Sequence, residues 1–122
     1  EAHKIYDDLV TNSMAKFNSG ETESMVLMYE TLGILVDMKN NKCSFGRDQI
    51  RVTLEPYCKL GKMDFKTPRR EVIPLGNDAF FVRIDYETTV LESGVVLRGS
   101  IDQIFKRHDE EWLIAYEMYL EK

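Results

Sequence analysis

The chain is poor in most of the features that mark a stapled, spanning or nucleic-acid-binding protein. It has two cysteines, Cys43 and Cys58, with no Cys-x-x-Cys and no histidine near either. That leaves no metal-ligand spacing, and two reduced, partly buried thiols in a reducing compartment are expected. Prolines number 3 and glycines 7, too few for a fibrous or low-complexity chain. The glycines form no phosphate loop or dinucleotide fingerprint, so no cofactor is expected. The two histidines, His3 and His108, join no nucleophile pattern, which argues against triad chemistry. No apolar run approaches the roughly 18 residues that cross a bilayer. Positive charge is also short: 16 Lys and Arg against 21 Asp and Glu give a formal charge of -5. That sign speaks against nucleic acid or an anionic membrane surface as a partner. No signal or transit segment is visible, and a cytoplasmic location is expected.

What remains is a globular composition, with 43% apolar and 30% charged residues. A length of 122 residues suits one domain, 1–122, able to bury a core without disulfides or metal. Ala2, Ile5, Tyr6, Leu9, Val10, Met14 and Phe17 recur at the spacing of one helical face, and Gly20 stands where a left-handed cap would end that helix. A second helix is expected over Thr22–Tyr29, then a strand over Thr31–Met38 with Leu32, Ile34 and Val36 on one side. Lys39–Lys42 reads as a polar turn. A third helix is expected over Arg47–Leu60, interrupted or kinked by Pro56. Four long strands follow. Met63–Leu75 carries Pro68 and Pro74 and reads as an edge strand or a bulged one. Ala79–Leu91 alternates with Phe80, Val82, Ile84, Tyr86 and Val90 on one face. Val95–His108 does so with Val95, Leu97, Ile101 and Phe105. Trp112–Leu120 does so with Trp112, Ile114, Tyr116, Met118 and Leu120. Helices first and strands last is the α+β order. Long antiparallel strands twist and bend, so a sheet with a hollow side, filled in part by the first helix, is expected.

Several local strings resemble the nuclear-transport-factor-2-like superfamily. They are Lys16-Phe17-Asn18-Ser19-Gly20-Glu21, Met28-Tyr29, Leu35-Val36-Asp37, Phe45-Gly46-Arg47, and the run Ile104–Ile114 that leads through Asp109-Glu110-Glu111 to Trp112. The nearest branches are the polyketide-cyclase-like and ketosteroid-isomerase-like proteins and the calcium/calmodulin-dependent kinase association domain. The resemblance spans about Ile5 to Tyr119. It implies a strongly curved, mixed, mostly antiparallel sheet wrapped around about three N-terminal helices, cone-shaped, with a pocket at the wide end. It also implies a homodimer formed through the outer face of the sheet. Function within the superfamily is scattered, so the fold does not settle it.

The resemblance directs attention to particular residues. Asp37 matches the general-base aspartate of ketosteroid-isomerase-like members; the plainer role is a cap at the strand end. Ser13 stands where those members carry an oxyanion-hole tyrosine, and a serine is a weaker donor. The second oxyanion donor matches Asp102 by one local string and Gln103 by the next. Gln103 shares a face with Leu97, Ile101 and Phe105, which favours it as the pocket's polar group, whereas Asp102 lies with Arg98 and Ser100 and suits a salt bridge. Tyr57, Tyr86 and Tyr116 could each bring a hydroxyl to the cavity. The basic stretch Lys66–Arg70 reads as a solvated strand edge. With no complete catalytic set, the expectation is a homodimeric domain with an apolar pocket that binds a small molecule or a protein. The alternatives are a proton-transfer enzyme using Asp37 and an oligomerising association domain.

Overall fold

A computed structural model describes all 122 residues. The elements run α1 (Ala2–Asn18), α2 (Thr22–Val26), β1 (Tyr29–Asp37), β2 (Lys42–Phe45), α3 (Arg47–Cys58), β3 (Met63–Pro74), β4 (Ala79–Val90), β5 (Val96–His108) and β6 (Glu111–Glu121). The strands form one open sheet in the order β2-β1-β6-β5-β4-β3. Only β1 and β6 pair in parallel; the other neighbours are antiparallel. Helices packed on the inner face of this mostly antiparallel sheet give the α+β cone architecture that the resemblance implies. No helix is long and apolar enough to cross a membrane.

The regular strands obey simple alternation. Phe80, Val82 and Ile84 form an almost fully buried row on the face that packs against α1 and α3. Phe80 stacks on Phe105 at 5.0 Å between ring centroids and leans on Trp112 at 5.1 Å. Truncating Phe80 to alanine would cost about 3–5 kcal/mol, the usual result of emptying such a site. The expected edge position of β3 is observed, and its register against β4 slips between Lys66 and Arg69. Pro68 lies inside that slip, where its missing N–H breaks no ladder bond.

α1 is tied down at its end as well as along its length, where Arg70 of β3 bonds Asp7. The Met63 N–H donates to Asn18 Oδ1 at 2.9 Å, joining the last turn of the helix to the start of β3. Gly20 then takes φ +77°, the left-handed conformation that glycine adopts without a Cβ penalty. Only Tyr6 of α1 is fully buried; the rest of its apolar face roofs the hollow of the sheet without filling it.

Four features differ from the sequence-based expectation. The second helix stops at Val26, not Tyr29, because Tyr29 already belongs to β1: its carbonyl accepts both Arg47 Nε at 3.0 Å and Arg47 Nη2 at 2.7 Å. The residues that lead from the polar turn into α3 form a short strand, β2, whose only buried side chain is Ser44. Pairing with β1 sets it, and four residues with one buried position leave almost no alternation to read. α3 runs unbroken through Pro56 to Cys58. Proline so near the end removes one hydrogen bond, and Val52, whose carbonyl loses that donor, is exposed. The fourth concerns the faces of the strands at the parallel pair. Leu32, Ile34 and Val36 share the outward side of β1, and Leu32 is 68% exposed. In β6 the register against β5 slips where Phe105 pairs with Ile114 but Ile104 pairs with Tyr116. Ala115 is the extra residue, and a β-bulge of this kind reverses the facing of everything beyond it. Trp112 and Ile114 point inward as expected, but Tyr116, Met118 and Leu120 point outward. Glu117 and Tyr119 take the inner positions instead.

Candidate functional site

The curved face and the helices line a half-open cavity of about 210 Å³, with 24 lining residues of which 19 are hydrophobic. α1 supplies Leu9, Val10 and Ser13, α3 supplies Leu54 and Tyr57, β4 supplies Ile84 and Tyr86, and β5 supplies Ile101 and Gln103. Tyr86 reaches this wall because its neighbour across the ladder is Gly99. A Cβ at Gly99 would come within 2.6 Å of the Tyr86 hydroxyl and 2.2 Å of the Leu120 carbonyl oxygen, so only glycine lets the ring lie there.

Past the bulge, β6 presents Glu117 to the cavity. Its Oε1 accepts Gln103 Nε2 at 2.7 Å and the Tyr29 hydroxyl at 3.0 Å. Its Oε2 takes no hydrogen bond, yet no buried side-chain polar atom is left sealed without a partner, so Oε2 opens on the cavity. Glu117 is 8% exposed. Burial pushes its carboxyl above the ordinary value, against the pull of the Gln103 and Tyr29 hydrogen bonds. Its charge acts in turn on the rings around it. Tyr29 is raised well above an ordinary tyrosine by burial first and by Glu117 next. Tyr6 is pushed up to about 12 by burial, with the Arg70 guanidinium opposing and Glu117 adding.

Asp37 is placed differently. It ends β1 and is not on the cavity wall. Oδ1 accepts the Asn40 N–H at 3.1 Å; Oδ2 accepts Asn40 Nδ2 at 2.8 Å and the Tyr119 hydroxyl at 3.1 Å. It is 6% exposed but lies under a thin covering at the rim. Burial works to raise its carboxyl, but the hydrogen bonds from Asn40, Tyr119 and the Lys39 backbone outweigh it and hold the group below its ordinary 3.8. A carboxylate occupied in this way caps the turn Met38–Asn41 and is poorly suited to take a proton from a substrate.

The other sequence candidates divide between the two faces of the sheet. Ser13, Gln103, Tyr57 and Tyr86 are on the cavity wall. Tyr116 is not, because the Ala115 bulge turns it outward beside Ile34 and Ile104. Asp102 is also on the outer face, where it receives Arg83 in a two-pronged pair at 2.9 and 3.0 Å. The basic stretch is partnered as well: Arg69 bonds Glu71 and Arg70 bonds Asp7. Both cysteines are free thiols, Cys43 exposed and Cys58 buried. Nowhere do three or more His, Cys, Asp or Glu side chains gather as metal ligands. Sequence reasoning missed Glu117, Tyr29 and Tyr119. One signal was available for the first: Glu117 is the single charged residue in the run Trp112–Leu120.

No protein-family model matches the sequence, and no curated protein matches it. Solved structures do match in shape. A chain named as a calcium/calmodulin dependent protein kinase II association domain from Xanthomonas campestris superposes with a TM-score of 0.88 at 20% identity, covering 100% of this chain and 88% of that one. A nuclear-transport-factor-2-like protein of unknown function from Shewanella oneidensis gives 0.78 at 17% identity, covering 98% and 99%. A ketosteroid isomerase-like protein from Erwinia carotovora atroseptica gives 0.67 at 18%, covering 94% and 92%. At such identities the likeness establishes the fold. The chain has the nuclear-transport-factor-2-like, cystatin-like fold, in which the inner wall of the cone forms the cavity described above.

Proposed function

We propose that this domain binds a small molecule in the cone and works as a homodimer. The observation that carries the first part is the cavity of about 210 Å³ with 19 hydrophobic residues among its 24 and a few polar groups gathered at Gln103 and Glu117. Sites for small ligands have this character: concave, mostly apolar and oriented by few polar contacts. The dimer reading rests on the outer face of the sheet, where Ile34, Val36, Ile104, Tyr116 and Met118 form an apolar strip across β1, β6 and β5. A strip of this kind favours a protein contact, and the likeness to an association domain supports assembly. A proton-transfer enzyme based on Asp37 has less support, because that carboxylate already holds three hydrogen bonds outside the cavity.

Native mass spectrometry of the purified chain, with light scattering on a sizing column, tests both parts. The expected result is a particle of twice 14.2 kDa that sheds a small neutral or charged mass on activation. Met118→Lys should give a folded monomer. A wild-type monomer at micromolar concentration would overturn the dimer. A chain that never carries or accepts a small molecule would overturn the binding reading.

A further inference from the structure

We infer that the cavity selects an organic cation, a protonated amine on an apolar body, with its ammonium N–H donating to Glu117 Oε2 and its carbon skeleton against the apolar wall. The inference rests on the small-molecule reading above and adds the charge class of the ligand.

The charge inventory of the wall carries it. Among the lining residues the only charged side chains are Glu117 and Glu121; there is no lysine, arginine or histidine. Glu121 has its own cation, Lys39 Nζ at 3.4 Å. Glu117 has none. Its two donors, Gln103 and Tyr29, are neutral and both meet Oε1, which leaves Oε2 as an oriented acceptor facing empty space. A buried carboxylate without a counter-charge is costly, and a bound cation is the ligand that removes the cost. A neutral ligand leaves it in place, and an anionic one adds like-charge repulsion in a low-dielectric site. A metal ion would need further ligands that the wall does not offer.

The aromatic lining points the same way. Tyr57, Tyr86 and Tyr119 present rings to the cavity beside Glu117, and ring faces attract cations. Tyr6 already holds one: the Arg70 guanidinium lies 4.9 Å from its ring centroid, outside the cavity. Inside, Tyr86 stacks on Phe65 and Tyr57 meets Tyr119 edge to face, so the wall is an aromatic cluster in which a smaller cation can lie beside Glu117 with its carbon body against the apolar remainder.

Isothermal titration of the whole chain with three probes of similar shape tests this: 2-phenylethylamine, 2-phenylethanol and phenylacetate. A hydrogen bond to a charged group implies that the amine binds about ten- to a hundredfold tighter than the alcohol, with no measurable binding of phenylacetate. In Glu117→Gln, which keeps an acceptor for Gln103 and Tyr29, the amine should fall to the level of the alcohol. Glu110→Gln, the same change of net charge on the exposed β5–β6 turn, should leave the ranking unaltered. If the alcohol binds wild type as well as the amine, or if the amine's advantage survives Glu117→Gln, cation selection is wrong while the pocket stands. If none of the three binds, both readings fail. The wild-type ranking decides even if the Glu117→Gln variant proves unstable.

Discussion

Two carboxylates sit low in this molecule, one at the rim and one in the cavity wall, and they behave oppositely. Asp37 and Glu117 are about equally covered, at 6% and 8% exposure. Asp37 is nevertheless held below its ordinary value and Glu117 above it. The difference lies in what surrounds them. Asp37 lies under a thin layer, with a turn folded around it so that both oxygens are occupied. Glu117 lies deep, with one oxygen engaged and the other left to the cavity. Accessibility alone would rank them as equals; depth and the number of donors separate a structural carboxylate from one available to a ligand.

The most severe way to break this contrast is to insert one alanine between Tyr116 and Glu117. Past the Ala115 bulge the inserted residue would take the inner position, so Glu117 and Tyr119 would turn outward and Met118 would turn into the cone. Deleting Ala115 would not do this, because Tyr116 would then follow Ile114 directly and every residue beyond it would keep its face. With the insertion, Glu117 would lose Gln103 and Tyr29, and Asp37 would lose Tyr119. The insertion should therefore cost on the order of 4 kcal/mol or more, the range that broken buried networks reach. Chemical denaturation of the insertion variant checks it. A variant of wild-type stability would mean that the register beyond the bulge does not set which residues face the cavity.

That bulge also marks how far the sequence could be read. The Phe80, Val82, Ile84 row and the Leu97, Ile101, Gln103, Phe105 row were legible because β4 and β5 alternate without a slip, and strict period two carries its own face assignment. The same rule applied to Trp112–Leu120 predicts Tyr116 inside, and it fails at Ala115, which has no distinguishing chemistry of its own. In the inward face of β1, Gly33, Leu35 and Asp37, a glycine and a carboxylate stand where hydrophobic residues were expected, while Leu32, Ile34 and Val36 supply the apolar outer strip. Arginine pairing was readable in outline: Asp102 lies on the charged face and does meet Arg83. Tyr29 could not be placed from sequence because the helical spacing of Met25, Val26 and Met28 runs straight into it, and the change of element is marked by contacts distant in sequence, its pairing with Ile114 of β6 and the Arg47 contact with its carbonyl.

Removing one donor from Glu117 sharpens the contrast. Tyr29→Phe deletes a hydrogen bond to a buried charged acceptor and should cost about 1.5–3 kcal/mol near neutral pH. The pH dependence distinguishes this from simple loss of packing. A carboxyl whose folded pKa is raised favours the protonated native state, so wild-type stability should fall as pH rises from the ordinary 4.5 toward the folded value, by about 1.4 kcal/mol for each unit of the shift. Glu117→Gln removes that slope, and its stability relative to wild type should improve steadily across the window. Tyr29→Phe makes Glu117 harder still to ionise and should extend the fall to higher pH. Thermal denaturation of the three proteins from pH 4 to 8 measures both effects; parallel curves would mean that Glu117 is not buried as a lone charge.

The smallest effect belongs to the rim. Asp37→Asn keeps the shape of the turn cap but replaces hydrogen bonds to a carboxylate with weaker neutral ones, a loss of about 1 kcal/mol at pH 7. Here the sign runs the other way. A carboxyl whose folded pKa lies below its ordinary 3.8 contributes stability that is fully present above 3.8 and disappears as pH falls through the folded value. The gap between wild type and Asp37→Asn should thus close in acid, while the gap between wild type and Glu117→Gln closes on the same side for a different reason, because protonation there relieves a penalty rather than removing a benefit. The two variants must consequently differ in sign at pH 7: Asp37→Asn below wild type, Glu117→Gln above it. If both fall on the same side, the two carboxylates are equivalent after all, and the cavity has no charge held in readiness for a ligand.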